Sequence, residues 1–81
     1  MAVFVESAFK HGYDEGDYFE VLDTGRLKLR SRRGLKGVYE LYGRNYAGEY
    51  LHIAYRRDRD QEVVFHMCAM SPHEKRRYRS L

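Results

Sequence analysis

Apolar and polar side chains alternate along most of the second two-thirds of the chain. Leu27 and Leu29 alternate with Arg26, Lys28 and Arg30, and Tyr39 and Leu41 with Val38, Glu40 and Tyr42. Leu51, Ile53 and Tyr55 alternate with Tyr50, His52 and Ala54. Val63, Phe65, Met67 and Ala69 do so with Val64, His66, Cys68 and Met70. Such alternation sends successive side chains to opposite faces, and with aromatic and β-branched residues it predicts half-buried strands. The connectors Arg44–Gly48 and Arg57–Gln61 are short enough for hairpins. Helical signals flank this region. From Asp14 to Leu22 a capping residue, an acidic first turn and a Tyr18, Val21 and Leu22 face precede Gly25, a plausible stop. Ser71-Pro72-His73-Glu74 reads as a capping box with proline where no amide is needed, so a basic helix should run from Pro72 to Arg79. Val3–Glu6 reads as a short strand or a tethering arm.

Strand parity then sorts the faces, because a one-residue slip moves every side chain to the wrong side. Folding the last hairpin about Arg59 sets Ile53 opposite Phe65, Leu51 opposite Met67 and His52 opposite His66. Folding the previous one about Tyr46 sets Leu41 opposite Leu51 and Glu40 opposite His52. One face is apolar and awaits helices. The other carries a row Glu40–His52–His66 and, beside it, a row Tyr42–Tyr50–Cys68.

The chain of 81 residues has room for a single domain, 1–81, with one core. Eight tyrosines and no tryptophan give an aromatic content of 15%, which suits a half-exposed sheet or a contact surface. The net charge of +3 is modest, but the placement of charge is uneven. Basic residues gather in Arg26, Lys28, Arg30, Arg32, Arg33 and Lys36, in Arg56, Arg57 and Arg59, and in Lys75, Arg76, Arg77 and Arg79; acids concentrate in Asp14–Asp23. This separation fits a polyanion-facing side, equally a set of ordinary solvated segments. The lone Cys68 forms no internal disulfide, which points to a reducing compartment. No apolar run approaches the ~20 residues that span a bilayer, and Ala2–Val5 is too short for a signal-peptide core. No membrane partner and a cytoplasmic location are therefore expected.

Three segments carry a resemblance. Lys10-His11-Gly12 precedes the acidic helix, Gly43-Arg44 and Gly48 lead into the strand Tyr50–Tyr55, and Val63–Met70 runs into Ser71-Pro72-His73-Glu74-Lys75-Arg76-Arg77-Tyr78. In this order, over residues 10 to 79, the chain resembles the BrnT-like ribonuclease toxins of the RelE/ParE superfamily, whose last strand leads into a T-x-x-E-R-x-x-Y helix. The resemblance implies an α+β, RelE-like fold: an N-terminal helix, an antiparallel sheet of about four strands and a C-terminal helix. It further implies metal-independent RNA cleavage, no cofactor, and a cognate antitoxin, of ribbon-helix-helix type, in a toxin–antitoxin hetero-oligomer. The chain departs from the family at Cys68, where the last strand usually holds a catalytic arginine. A thiol offers no bidentate positive charge. A second family arginine falls near Arg57 or Arg59.

Metal-free RNA cleavage needs a base for the 2′-hydroxyl, a cation for the phosphate and an acid for the leaving oxygen. His66 and His52 are the acid/base candidates, Glu40 an orienting carboxylate, and Arg57 or Arg30 the phosphate-holding guanidinium. Tyr42 and Tyr50 can stack bases, while Lys28, Arg59, Lys75 and Arg76 can track the backbone. Plainer roles exist for each: solvated histidines, a cross-strand Glu40–His52 pair, a tyrosine patch for an antitoxin segment, a His11 that orders its loop. Glu40, His52, His66 and Cys68 include zinc-ligand types, yet only His66-x-Cys68 is closely spaced, so no metal is expected. The alternative function is a catalytically impaired module of the same fold that partners an antitoxin or binds nucleic acid.

Overall fold

The structure is a computed structural model that describes residues 1–25, 27–30 and 36–81. Arg26, Arg32 and Arg33 of the first basic stretch lie outside the described residues. The elements are β1 (Ala2–Phe4), a 3₁₀ helix (Glu6–Phe9), α1 (Glu15–Thr24), β2 (Leu27–Arg30), β3 (Val38–Arg44), β4 (Tyr50–Asp58), β5 (Gln61–Ala69) and α2 (Pro72–Arg79). The fold is α+β, with a five-stranded mixed sheet in the order β1-β5-β4-β3-β2 in place of about four antiparallel strands. The added strand is β1, which pairs parallel with β5 through Ala2–Glu62, Val3–Val63 and Phe4–Val64.

Both helices start where local chemistry says they should. Asp14 accepts from the Asp17 amide at 3.1 Å and Asp17 accepts from the Asp14 amide at 2.9 Å, closing a capping box. Ser71 and Glu74 close a second at 3.1 and 2.8 Å. The docking line of α1 runs Tyr18–Val21–Gly25, and Leu22, expected on that face, stands 48% exposed on its flank. The line is set by a close approach of glycines. A side chain on Gly43 of β3 would begin 2.9 Å from the Gly25 α-carbon and 3.0 Å from the Val21 carbonyl.

The main core lies between the sheet and α1 with the 3₁₀ helix, and holds Ala8, Tyr18, Val21, Leu41, Leu51, Ile53, Tyr55, Val64 and Met67. On the other face a smaller cluster of Tyr42, Met70 and Tyr78 packs with Leu27, Leu29 and Tyr50, so α2 docks through Tyr78.

The register differs from the expected pairing by two residues in the first hairpin, and in the second by one near the turn and two beyond a bulge. In the first hairpin Leu41 pairs with Ile53 and Tyr42 with His52, because the turn is a five-residue loop from Asn45 to Glu49, centred later than Tyr46, with Gly48 at φ 88°. In the second, Arg59 (φ 57°) and Asp60 form the turn, and Asp58 pairs with Gln61. The ladder then slips at a β-bulge: Tyr55 pairs with Val64 but Ala54 with His66, leaving Phe65 without a partner across the ladder. Consequently His52 faces Cys68, Ile53 faces Met67 and Leu51 faces Ala69. The phase of β5 inverts at the bulge. Val64, assigned by simple alternation to the wet face, is fully buried in the main core, and Phe65 is only half-buried.

Candidate functional site

A shift of two residues preserves parity, so Glu40, Tyr42, His52, His66 and Cys68 share the sheet face opposite α1. The row Tyr42–His52–Cys68 crosses β3, β4 and β5, and the next row is Glu40–Ala54–His66. The small Ala54 leaves room above it, and the longer side chains close diagonally. His52 Nε2 lies 2.9 Å from Glu40 Oε1, and the two imidazole centroids are 5.7 Å apart, edge to face. His66 Nε2 is 3.1 Å from Cys68 Sγ. Tyr42 stacks flat on His52, centroids 4.6 Å apart and planes 5° from parallel, which fixes that ring.

Two contributors come from outside the strands. Glu74, on the first turn of α2, turns one oxygen to the Ser71 amide and the other to the Tyr42 hydroxyl, which donates to it at 3.2 Å. That second oxygen also lies 3.7 Å from His52 Nδ1. His11, in the loop after the 3₁₀ helix, sets its ring edge to face with His66 at 5.5 Å between centroids. The loop is tied near the bulge, where the Ser7 hydroxyl donates to the Phe65 carbonyl at 2.9 Å.

Electrostatics separate the groups. Burial, then the neighbouring His52, His11 and Lys10 side chains, push His66 below its ordinary value, outweighing the opposite pull of Glu74. His66 is therefore a neutral imidazole near pH 7. Burial and the Glu74 carboxylate push the Cys68 thiol up, so the sulfur keeps its proton. For Glu74, burial opposes ionisation, but the Ser71 amide, His52 and the Tyr42 hydroxyl outweigh it and hold the carboxyl below its usual range. Burial beside Glu40 and Glu74 drives the Tyr42 hydroxyl well above its ordinary value.

The predicted cations sort differently from the histidines. Arg57 has the parity of Tyr55, on the α1 side, and pairs with Glu62 at 3.7 Å. Arg56 takes its place on the histidine face, exposed, in the row Val38–Arg56–Val63. Lys28 pairs in register with Leu41, a row of the helix-covered face, and Arg30 pairs in register with Tyr39. Lys28 Nζ lies over the Tyr39 and Tyr55 rings at 5.4 and 5.7 Å. Arg59 sits in the hairpin turn, remote in the ladder from both histidines. Tyr42 is buried with its hydroxyl between carboxylates, so it is not free to stack a base. Tyr50 fits the expectation better. Its half-buried ring lies between the Arg44 guanidinium (4.9 Å) and Lys75 Nζ (5.3 Å), and it lines an open groove of about 700 Å³ with Arg44, Tyr46, Tyr78 and Arg79. Arg76 is exposed on α2.

Compared with known protein families, curated proteins and solved structures, the chain shows no match. Among the described residues no helix is long and apolar enough to cross a membrane. Sequence reasoning missed His11, Glu74 and Arg56. For Glu74 the signal was absorbed by the capping box; for Arg56, strand parity alone carried it.

Proposed function

We propose that this chain is a metal-independent endoribonuclease toxin of the BrnT-like kind, acting in the cytoplasm and neutralised by an antitoxin, of ribbon-helix-helix type, in a hetero-oligomer. The observation that carries the reading is the pair of imidazoles 5.7 Å apart on the face opposite α1, one held neutral and the other set between two carboxylates. In the tautomer whose Nε2–H donates to the Cys68 sulfur 3.1 Å away, His66 keeps the Nδ1 lone pair to accept the 2′-hydroxyl proton. The 2′-oxygen attacks phosphorus. His52, its Nε2–H anchored on Glu40, supplies a proton from Nδ1 to the departing 5′-oxygen. The products are a 2′,3′-cyclic phosphate and a 5′-hydroxyl. Arg56 and Lys10 supply positive charge along this face, and the Tyr50 groove with Arg44 and Lys75 offers a stacking place for a flanking base.

The test is cleavage of single-stranded RNA by purified protein in excess chelator. His66→Ala and His52→Ala should each slow cleavage by about 10²–10⁴-fold, and Arg56→Ala should slow it more than Arg57→Ala. Unchanged cleavage in both histidine variants would refute the assignment. One observation favours the impaired-module reading: Glu40 and Glu74 flank His52, and a thiol occupies β5 where the resemblance expects an arginine. Strong toxicity gained by Cys68→Arg would decide for it.

A further inference from the structure

The ligand-bearing atoms of His52, His66 and Cys68, one from each, all lie within 4.8 Å of one another. They come from β4 and β5, at the middle of the sheet, and all are half-buried. Tetrahedral zinc, with bonds of about 2.0–2.1 Å to nitrogen and 2.3 Å to sulfur, places its ligand atoms about 3.3–3.8 Å apart. The His66 Nε2 to Cys68 Sγ separation, 3.1 Å, is already close to one edge of that tetrahedron. His52, whose ligand atom lies within 4.8 Å of the other two, has to close in by up to about 1.5 Å to complete a face. Its tautomer is prepared for the purpose. Donation of Nε2–H to Glu40 at 2.9 Å leaves the Nδ1 lone pair for a metal, the carboxylate–histidine–metal arrangement that orients ligands in zinc sites. The flat stack of Tyr42 holds the ring in place.

We propose that His52, His66 and Cys68 form a binding site for Zn²⁺, with Glu40 as the orienting carboxylate and the fourth position left to water beside Glu74. Imidazole and thiolate together select a borderline cation over Mg²⁺ or Ca²⁺, which take oxygen ligands. On binding, the S–H bond of Cys68 is replaced by a Zn–S bond and the proton passes to buffer, with no change of oxidation state. The site goes beyond the nuclease reading and stands apart from it. Where both hold, the ion takes the Nδ1 of His52 from proton transfer and ties His66 through Nε2, so zinc switches cleavage off.

The experiment uses the full chain without a histidine tag, freed of metal by chelator dialysis and titrated with Co²⁺, a spectroscopic stand-in for zinc. The expected result is one ion per chain, thiolate-to-cobalt charge-transfer absorption in the near ultraviolet, and displacement of that signal by Zn²⁺. Cys68→Ser should abolish the charge-transfer band. Glu40→Gln should weaken zinc binding about 10–100-fold while circular dichroism stays unchanged. His73→Ala, an exposed position on α2, should leave the titration as it is. Absence of one-to-one binding in the parent protein overturns the proposal, as does equal zinc affinity in Cys68→Ser. Metal binding by a protein that cleaves no RNA would sustain the site and sink the nuclease reading alone.

Discussion

Glu74 joins helix capping to the site, and its removal should cost more than the loss of a cap. Glu74→Ala deletes the acceptor of the Ser71 amide (2.8 Å) and of the Tyr42 hydroxyl (3.2 Å). The amide belongs to an exposed residue and regains water, so that half costs about 0.5 kcal/mol. Tyr42 is 9% exposed, and its remaining acceptor, Glu40, is longer at 3.4 Å. Weakening a hydrogen bond between a buried hydroxyl and a carboxylate costs about 1.5 kcal/mol. The sum, about 2 kcal/mol, corresponds to a fall of about 8–16 °C in Tm for a domain of this size. Ser71→Ala, which removes only the cap's own oxygen, should cost about 1 kcal/mol. Urea titration of the single variants and of a Tyr42→Phe, Glu74→Ala cycle should give a coupling of about 0.5–1.5 kcal/mol. Acid offers a second check. The Glu74 carboxyl is held below its ordinary 4.5, so its contribution is complete above that pH and is lost as pH falls through the folded-state value. The gap between parent and Glu74→Ala should therefore narrow on acidification. A Glu74→Ala cost no larger than that of Ser71→Ala, with no coupling to Tyr42, would show that the carboxylate is only a cap.

Three further outcomes are expected. Gly43→Ala should lower stability by about 1–3 kcal/mol in denaturant titration, since its methyl would lie 2.9–3.0 Å from Gly25 and Val21 and α1 would have to move; a neutral result would mean α1 is not seated on Gly43. Tyr18, buried and therefore pushed up from 10.0 to about 12, keeps its proton in the fold while the unfolded chain loses it, so stability should decline between those pH values. Tyr18→Phe should be nearly neutral at pH 7 and should lessen that alkaline loss, read as the pH of half-unfolding. Deletion of Phe65 should leave a folded protein, because the deleted residue is the one that lacks a ladder partner, whereas deletion of Ala54 from the regular β4 should abolish cooperative unfolding.

The elements and faces legible in the sequence were those written in local chemistry. The Ser71–Glu74 capping box and the Asp14 cap are short-range patterns, and both appear in the structure; the reciprocal bond from Asp17 that turns the Asp14 cap into a second box was not read from the sequence. Hairpin strands betray themselves by alternation, and parity assigned Glu40, His52, His66 and Cys68 to one face even though the register was off by two. What escaped depended on contacts between distant segments. β1 has three residues, too few for a periodic signal, so Val3–Glu6 reads equally as a short strand or a tethering arm, and it is the edge of β5 about sixty residues away that makes Ala2–Phe4 a strand. His11 reaches His66 because its loop folds back toward the bulge. Buried Asn45 looks like an ordinary turn residue, but it bonds Asp17 and Glu49 through its amide nitrogen and accepts from the Glu49 amide, fixing the loop to α1. Arg57 was chosen, with Arg59 as its alternative, by likeness to a family pattern, and the ladder places it with Glu62 on the other face.

The bulge at Phe65 shows why the candidate site and the core can share one strand. In a regular strand Val64 and His66, two apart, would lie on the same face, and the fold needs them on opposite ones. Val64 is fully buried between the sheet and its helical layer, where an imidazole would lose its water without a guaranteed partner. His66 stands with His52 and Cys68 on the face opposite α1, where a valine would contribute no chemistry. One unpaired residue reconciles the two demands by inverting the phase of β5 once. The cost is a backbone carbonyl turned out of the ladder at Phe65, and the Ser7 hydroxyl satisfies it from the segment that also delivers His11. The same irregularity thus keeps the core apolar, aims His66 outward and anchors the loop that brings His11 beside it. A change that straightens β5 without deleting a residue would have to sacrifice either Val64 or His66.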